Sequence, residues 1–140
     1  MEPQLKIKLK HGWSPVKNVN AYMCFRAASA NPSELQFSLA VRKTDRPIVV
    51  VTEESLIGLC RRMHTTRGVP SGREVSSQSG KCDFGIFGTV VACGESPARI
   101  QVWMLSNGRD FILVTHTCEK IPDPAEVKEA NEIALMTRCE

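Results

Sequence analysis

Residues 99–118 read Arg-Ile-Gln-Val-Trp-Met-Leu-Ser-Asn-Gly-Arg-Asp-Phe-Ile-Leu-Val-Thr-His-Thr-Cys. Two β-rich runs flank Asn107-Gly108. Both of these residues tolerate the positive φ of a two-residue type I′ turn, so the stretch predicts a β-hairpin. Ile100, Val102 and Met104 fall on one face of the first strand, Trp103 and Leu105 on the other. In the second strand Phe111, Leu113 and Thr115 alternate with Ile112, Val114 and His116. A hairpin apolar on both faces belongs in the middle of a sheet that is covered from each side.

The flanking segments supply that cover. Downstream, Ile121-Pro122 leaves the sheet. Asp123 reads as an N-cap, Pro124 as the first helical residue and Glu126 as the returning arm of a capping box. Val127, Ala130, Ile133, Ala134 and Met136 give this helix an apolar side as far as about Arg138. Upstream, Phe84 to Cys93 reads as a buried strand. Gly85 and Gly88 within it signal a bulge or a close approach by a neighbouring element.

Further back, Thr52 is an N-cap, and Glu53 and Glu54 suit the positive end of a helix dipole. Leu56, Ile57, Cys60 and Met63 form a stripe at helical spacing, and the helix should fade near Thr65 to Gly68. Ile48 to Val51 reads as a brief strand or an extended approach to that helix. Leu35, Phe37, Leu39 and Val41 alternate strictly and predict a strand, as do residues 20–27. Leu5, Ile7 and Leu9 alternate with Lys6, Lys8 and Lys10, the pattern of a lysine-lined edge strand. His11 to Pro15 reads as a turn or loop. Residues 66–81, rich in glycine, proline and serine, read as a long loop in which Arg73-Glu74-Val75 forms at most a short strand. The fold class is therefore α+β: one mainly antiparallel sheet with helices on both faces, an α/β/α sandwich, in a single domain over residues 1–140.

Composition restricts function more than it specifies it. The 140 residues are 42% hydrophobic and 24% charged, ordinary values for a soluble domain. A net charge of +3 argues for nucleic acid only if it is clustered, and aromatic interleaving is absent. No apolar run approaches the roughly 20 residues needed to span a bilayer, and the N-terminus lacks the apolar core of a secretion signal. A cytoplasmic location and no membrane partner are the expectations. Of Cys24, Cys60, Cys82, Cys93, Cys118 and Cys139, several sit within apolar runs, as in Met23-Cys24-Phe25 and Val90-Val91-Ala92-Cys93, so the set reads as reduced, small hydrophobes rather than a disulfide framework.

The order of elements resembles the PsbP-like fold, shared by the photosystem II extrinsic subunit, the Ran-binding Mog proteins and many bacterial domains. The residues that carry the resemblance are Leu35-Gln36-Phe37-Ser38-Leu39 before the first helix, Phe84-Gly85 opening a central strand, and Phe111-Ile112-Leu113-Val114-Thr115 leading into the last helix. It implies a binding, scaffolding or chaperone-like module and brings no shared catalytic constellation.

Candidate chemistry is sparse. Cys60 and His64 lie four apart on the first helix, and His116 and Cys118 two apart on one strand face. Together they have the ligand types of a tetrahedral zinc site, although the spacing matches no standard motif. Core cysteines and partly buried histidines are the plainer reading, so no metal and no cofactor are expected. Either pair also has the ingredients of a thiol nucleophile and base, without a third group or an oxyanion loop. Arg61, Arg62, His64, Arg67 and Arg73 concentrate basic charge at the end of the first helix and in the next loop. They suit both a helix C-terminus and an anion-binding or acidic-partner surface. Trp13 and Trp103 read as core residues. The leading expectation is a non-enzymatic protein-interaction module of accessory, chaperone-like or immunity type. The alternative is a small-molecule or anion-binding domain using residues 61–73. The partner is then a protein, nucleic acid is disfavoured, and a homodimer stays open.

Overall fold

The computed structural model describes residues 4–18, 21–26, 33–40, 51–63, 73–95 and 97–139. The elements are β1 (Leu5–Lys6), β2 (Trp13–Asn18), β3 (Ala21–Arg26), β4 (Ser33–Ala40), α1 (Glu53–Met63), β5 (Arg73–Cys82), β6 (Gly85–Cys93), β7 (Arg99–Ser106), β8 (Phe111–Cys118), α2 (Pro124–Leu135) and β9 (Arg138–Cys139). Seven strands form one antiparallel sheet in the order β2-β3-β4-β8-β7-β6-β5, and β1 pairs separately with β9. The β7–β8 hairpin lies at the centre, with Trp103 opposite Val114 and Ser106 opposite Phe111.

The two helices cover opposite faces. Ala130, Ile133 and Ala134 of α2 pack with Trp103, Leu105, Ile112, Val114, Leu35 and Phe37. On the other face Leu56 and Cys60 of α1 pack with Val90, Ala92, Ile100, Val102 and Met104. Gly88 permits that contact. A Cβ there would stand 2.6 Å from the backbone nitrogen of Ile57 and 2.9 Å from the carbonyl carbon of Leu56. The close approach expected at Gly88 is the one observed.

Cover is unequal along the hairpin. Strand β7 is buried on both faces except at Arg99, whereas β8 alternates buried and half-buried residues. Helix α1 packs on β5, β6 and β7, so the α1-side residues of β8 (Phe111, Leu113, Thr115 and Thr117) are half-buried.

Several local expectations are corrected. The hairpin turn is not a two-residue type I′ turn. Only Gly108 has positive φ (+93°), and the connection runs through four residues, Asn107 to Asp110. Asn107 Oδ1 accepts hydrogen bonds from the backbone N–H groups of Arg109 and Asp110, at 2.9 and 2.8 Å. The asparagine side chain thus substitutes for backbone partners, the local competition typical of Asn in turns.

Arg73–Cys82 is a ten-residue strand that begins inside the stretch read as loop and ends one residue beyond it. It is the sheet edge, exposed from Arg73 through Ser79, so burial imposes no period on its side chains and its backbone pairing with β6 alone defines it. Trp13–Asn18 is likewise a strand through Pro15, where a turn or loop was expected. Strand β2 is the other edge, and an edge strand tolerates a residue without an N–H. Leu5, Ile7 and Leu9 do pack on the α2-side core, but only Leu5–Lys6 is strand. The Ile48–Val50 part of the expected brief strand lies outside the described residues, as does Val41.

Candidate functional site

Helix α2 begins as its sequence requires. Asp123 has extended backbone (φ −71°, ψ 157°), its Oδ1 accepts from Glu126 N at 2.9 Å, and Pro124 follows. The second arm of the capping box is not made to the cap. The Glu126 carboxylate turns inward instead, and the residue is 2% exposed. Its Oε2 accepts from Ser33 Oγ and lies 2.8 Å from His116 Nε2. Strand register explains the meeting. Leu35 stands opposite His116 and Ser33 opposite Cys118, so β4 and β8 present Ser33, His116 and Cys118 on the face beneath the first turn of α2.

Cys118 Sγ lies 3.5 Å from His116 Nε2 and 3.7 Å from Nδ1. Near-equal distances to both nitrogens place the sulfur off the in-plane direction of either one, so the contact is not a directed hydrogen bond. Burial pushes the Cys118 thiol up to about 12, with the Glu126 charge adding and Arg99 opposing. Such a thiol is protonated at neutral pH and a poor nucleophile. Arg99 stands opposite Cys118 in β7. Its Nη2 donates to Gln101 Oε1 at 3.1 Å, and its Nη1 is buried with no partner among the described residues. Burial lowers its guanidinium from the usual range. The Trp13 ring is 6.3 Å from that of His116, and Trp13 Nε1 donates to Glu129 Oε1 at 2.9 Å.

The outer side of α2 is clamped by charge. Arg26 Nε and Nη2 donate to the Glu129 carboxylate and Nη1 to Asp123 Oδ2, each at 3.2 Å. Lys10 Nζ lies 2.6 Å from Glu132 Oε2. The hydrogen bond from Arg26, followed by that from Trp13, holds the Glu129 carboxyl below the usual range, and Lys10 does the same for Glu132.

The four-ligand arrangement of Cys60, His64, His116 and Cys118 is not formed. Cys60 is on the opposite side of the sheet, where its Sγ donates to Gly88 O at 3.3 Å. His64 lies outside the described residues, so the Cys60–His64 pair is not described. Cys118 and His116 do meet, and Glu126 joins them. Its role was hidden because Asp123-Pro124-Ala125-Glu126 already has a local explanation as a helix start. Of the basic candidates, Arg61, Arg62 and Arg73 are exposed, and His64 and Arg67 lie outside the described residues. Arg61 forms a two-pronged pair with Glu74, Nε to Oε1 at 2.7 Å and Nη2 to Oε2 at 3.1 Å, which ties α1 to β5. Trp103 is fully buried, its Nε1 donating to Asn131 Oδ1 at 2.9 Å, and Trp13 is buried too.

Two cavities lie on the α1 side of β4 and β8. Ser38, Leu59, Met104, Phe111 and Leu113 line an apolar cavity of about 460 Å³. It adjoins a more polar cleft of about 440 Å³ lined by Glu34, Gln36, Ser38, Thr115 and Thr117. Register places Glu34 opposite Thr117, Gln36 opposite Thr115 and Ser38 opposite Leu113, so the two form one surface.

No family model and no curated protein matches this sequence. Solved structures do. The chain is similar to LpqN of Mycobacterium tuberculosis, described as involved in cell envelope biogenesis, with a TM-score of 0.68 and 9% identity over 99% of this chain and 84% of that one. A Bacteroides thetaiotaomicron protein aligns with a TM-score of 0.48 and 10% identity over 97% of this chain and 45% of that one. The likeness to LpqN is one of fold. Among the described residues no helix is long and apolar enough to cross a membrane.

Proposed function

We propose that this chain is a non-enzymatic protein-interaction module of the PsbP-like kind, and that its partner docks on the α1 side of β4 and β8. The observation that carries this reading is the division of the molecule. Its one buried Cys–His–carboxylate cluster among the described residues lies within the core, while an accessible cavity on the α1 side is apolar and lined by Met104, Phe111 and Leu113. An aliphatic or aromatic anchor from a partner fits that cavity, and the Glu34–Thr117 cleft beside it supplies the polar rim that protein interfaces carry. An accessory role is compatible with the fold shared with LpqN. Six free thiols suit a reducing compartment, so a cytoplasmic location belongs to this proposal.

The test is affinity capture from the native extract with wild type and Leu113→Asp in parallel, the variant's fold being checked by circular dichroism. One stoichiometric protein retained by wild type and lost by a folded Leu113→Asp supports the module. No such protein, together with a metabolite co-purifying in native mass spectrometry, overturns it in favour of small-molecule binding.

A further inference from the structure

We propose that His116, Cys118 and Glu126 form a closed binding site for a borderline divalent cation of the zinc type, which fastens β8 to α2. One ligand atom from each of the three residues lies within 4.8 Å of the others, and all three residues are buried. The set is sulfur, imidazole nitrogen and carboxylate oxygen, the ligands such ions take.

The separations, though not yet the directions, are near those of a tetrahedron. Zinc–nitrogen and zinc–oxygen bonds of about 2.0–2.2 Å and a zinc–sulfur bond of about 2.3 Å require ligand separations of roughly 3.3 Å for N to O and 3.5 Å for N to S. His116 Nε2 to Cys118 Sγ is 3.5 Å, and because the sulfur lies off the in-plane direction of both ring nitrogens, the Cys118 side chain must turn about χ1 to share an ion with Nε2. His116 Nε2 to Glu126 Oε2 is 2.8 Å and needs to open by about half an ångström, a side-chain adjustment at the start of a helix. Ser33 Oγ, now on the carboxylate, or a water completes the fourth position.

Charge balance favours the ion. A thiolate and a carboxylate bring two negative charges to a dication, so the filled centre is neutral in a core that otherwise holds these groups at a cost. Binding releases the Cys118 thiol proton to solvent and involves no redox change. Arg99, opposite Cys118, favours the thiolate and repels the cation, and the doubly anionic ligand pair outweighs its single charge. The opposing explanation is a hydrogen-bonded network complete in itself, with Glu126 satisfied by Ser33 and His116. The proposal does not depend on the partner-docking reading, and its test uses no partner.

Because the cluster is sealed, the ion must be offered during folding. The full chain is unfolded with chelator, refolded with equimolar Zn²⁺ or Co²⁺, desalted and analysed for metal. The expected result is one ion per chain, a cobalt–thiolate charge-transfer band with the visible bands of tetrahedral cobalt, and a higher thermal midpoint than the chelated protein. Cys118→Ser should lose the charge-transfer band, whereas Cys60→Ser, and a triple serine variant at Cys82, Cys93 and Cys139, should keep both band and stoichiometry. Substoichiometric metal in wild type overturns the proposal whatever the variants do. So does a thiolate band that survives Cys118→Ser and disappears in the triple variant.

Discussion

Glu126→Ala is the most informative single substitution. It removes the carboxylate of a residue 2% exposed and leaves Ser33 Oγ and His116 Nε2 facing the space it filled. A hydrogen bond to a charged group contributes about 1.5–3 kcal/mol, and the variant loses those with Ser33 and His116 together. Losing a first-turn acid from the helix adds about 0.3–1 kcal/mol. The Asp123 cap to the Glu126 backbone persists, so the helix start itself remains. A loss of about 3–5 kcal/mol is a large part of a stability of about 5–15 kcal/mol. For 140 residues, unfolding entropy near 0.3 kcal/mol per kelvin turns that loss into a fall in Tm of about 10–17 °C. The measurement is guanidinium unfolding with chelator present, completed as a cycle with His116→Ala. In the cycle His116→Ala should cost at least about 1 kcal/mol less in the Glu126→Ala background than in wild type. A single-variant loss below about 1 kcal/mol, or additive effects, refutes the claim that these two side chains act as a pair.

Gly88→Ala should destabilise by about 1–3 kcal/mol, because its Cβ meets backbone of α1, while Gly58→Ala in α1, with nothing within 4 Å, should stabilise by up to about 1 kcal/mol. Paired urea titrations check both signs. Glu129 and Glu132 have carboxyls lowered by Arg26 and Lys10, so their contribution is complete above the unfolded glutamate value of about 4.3 and is lost as pH falls through the lower folded values. Glu129→Gln should therefore flatten the acid limb of a stability-against-pH curve, and an unchanged limb counts against the Arg26 clamp. Alkylation of the native protein at mildly basic pH should modify Cys82, Cys93 and Cys139 before Cys24, Cys60 and Cys118, because the latter are buried and pushed up to about 12. Peptide mapping over time checks the order, and early labelling of Cys118 contradicts the sealed cluster.

What the amino-acid order determined by itself was whatever rests on neighbours in the chain. Alternation in Leu35-Gln36-Phe37-Ser38-Leu39 and in β7 and β8 placed strands with defined inner faces, since a side-chain period of two follows from backbone geometry. Asp123-Pro124 began α2, and Thr52 capped α1, its Oγ1 accepting from Ser55 N at 3.1 Å. Two amphipathic helices and a doubly apolar hairpin then made a sheet covered on both faces the economical arrangement.

Tertiary structure decided everything that depends on register and on which face a helix covers. Strand β5 is polar and nearly featureless, and only its pairing with β6 makes it a strand. Cys60 and Cys118 could be grouped in one four-ligand site until the sheet came between them. Glu126 satisfied a local rule, and its carboxylate was nevertheless taken by His116 and Ser33, ten and 93 residues earlier in the chain. A buried carboxylate goes where its desolvation is best compensated, and those partners exist only once β4, β8 and α2 have come together.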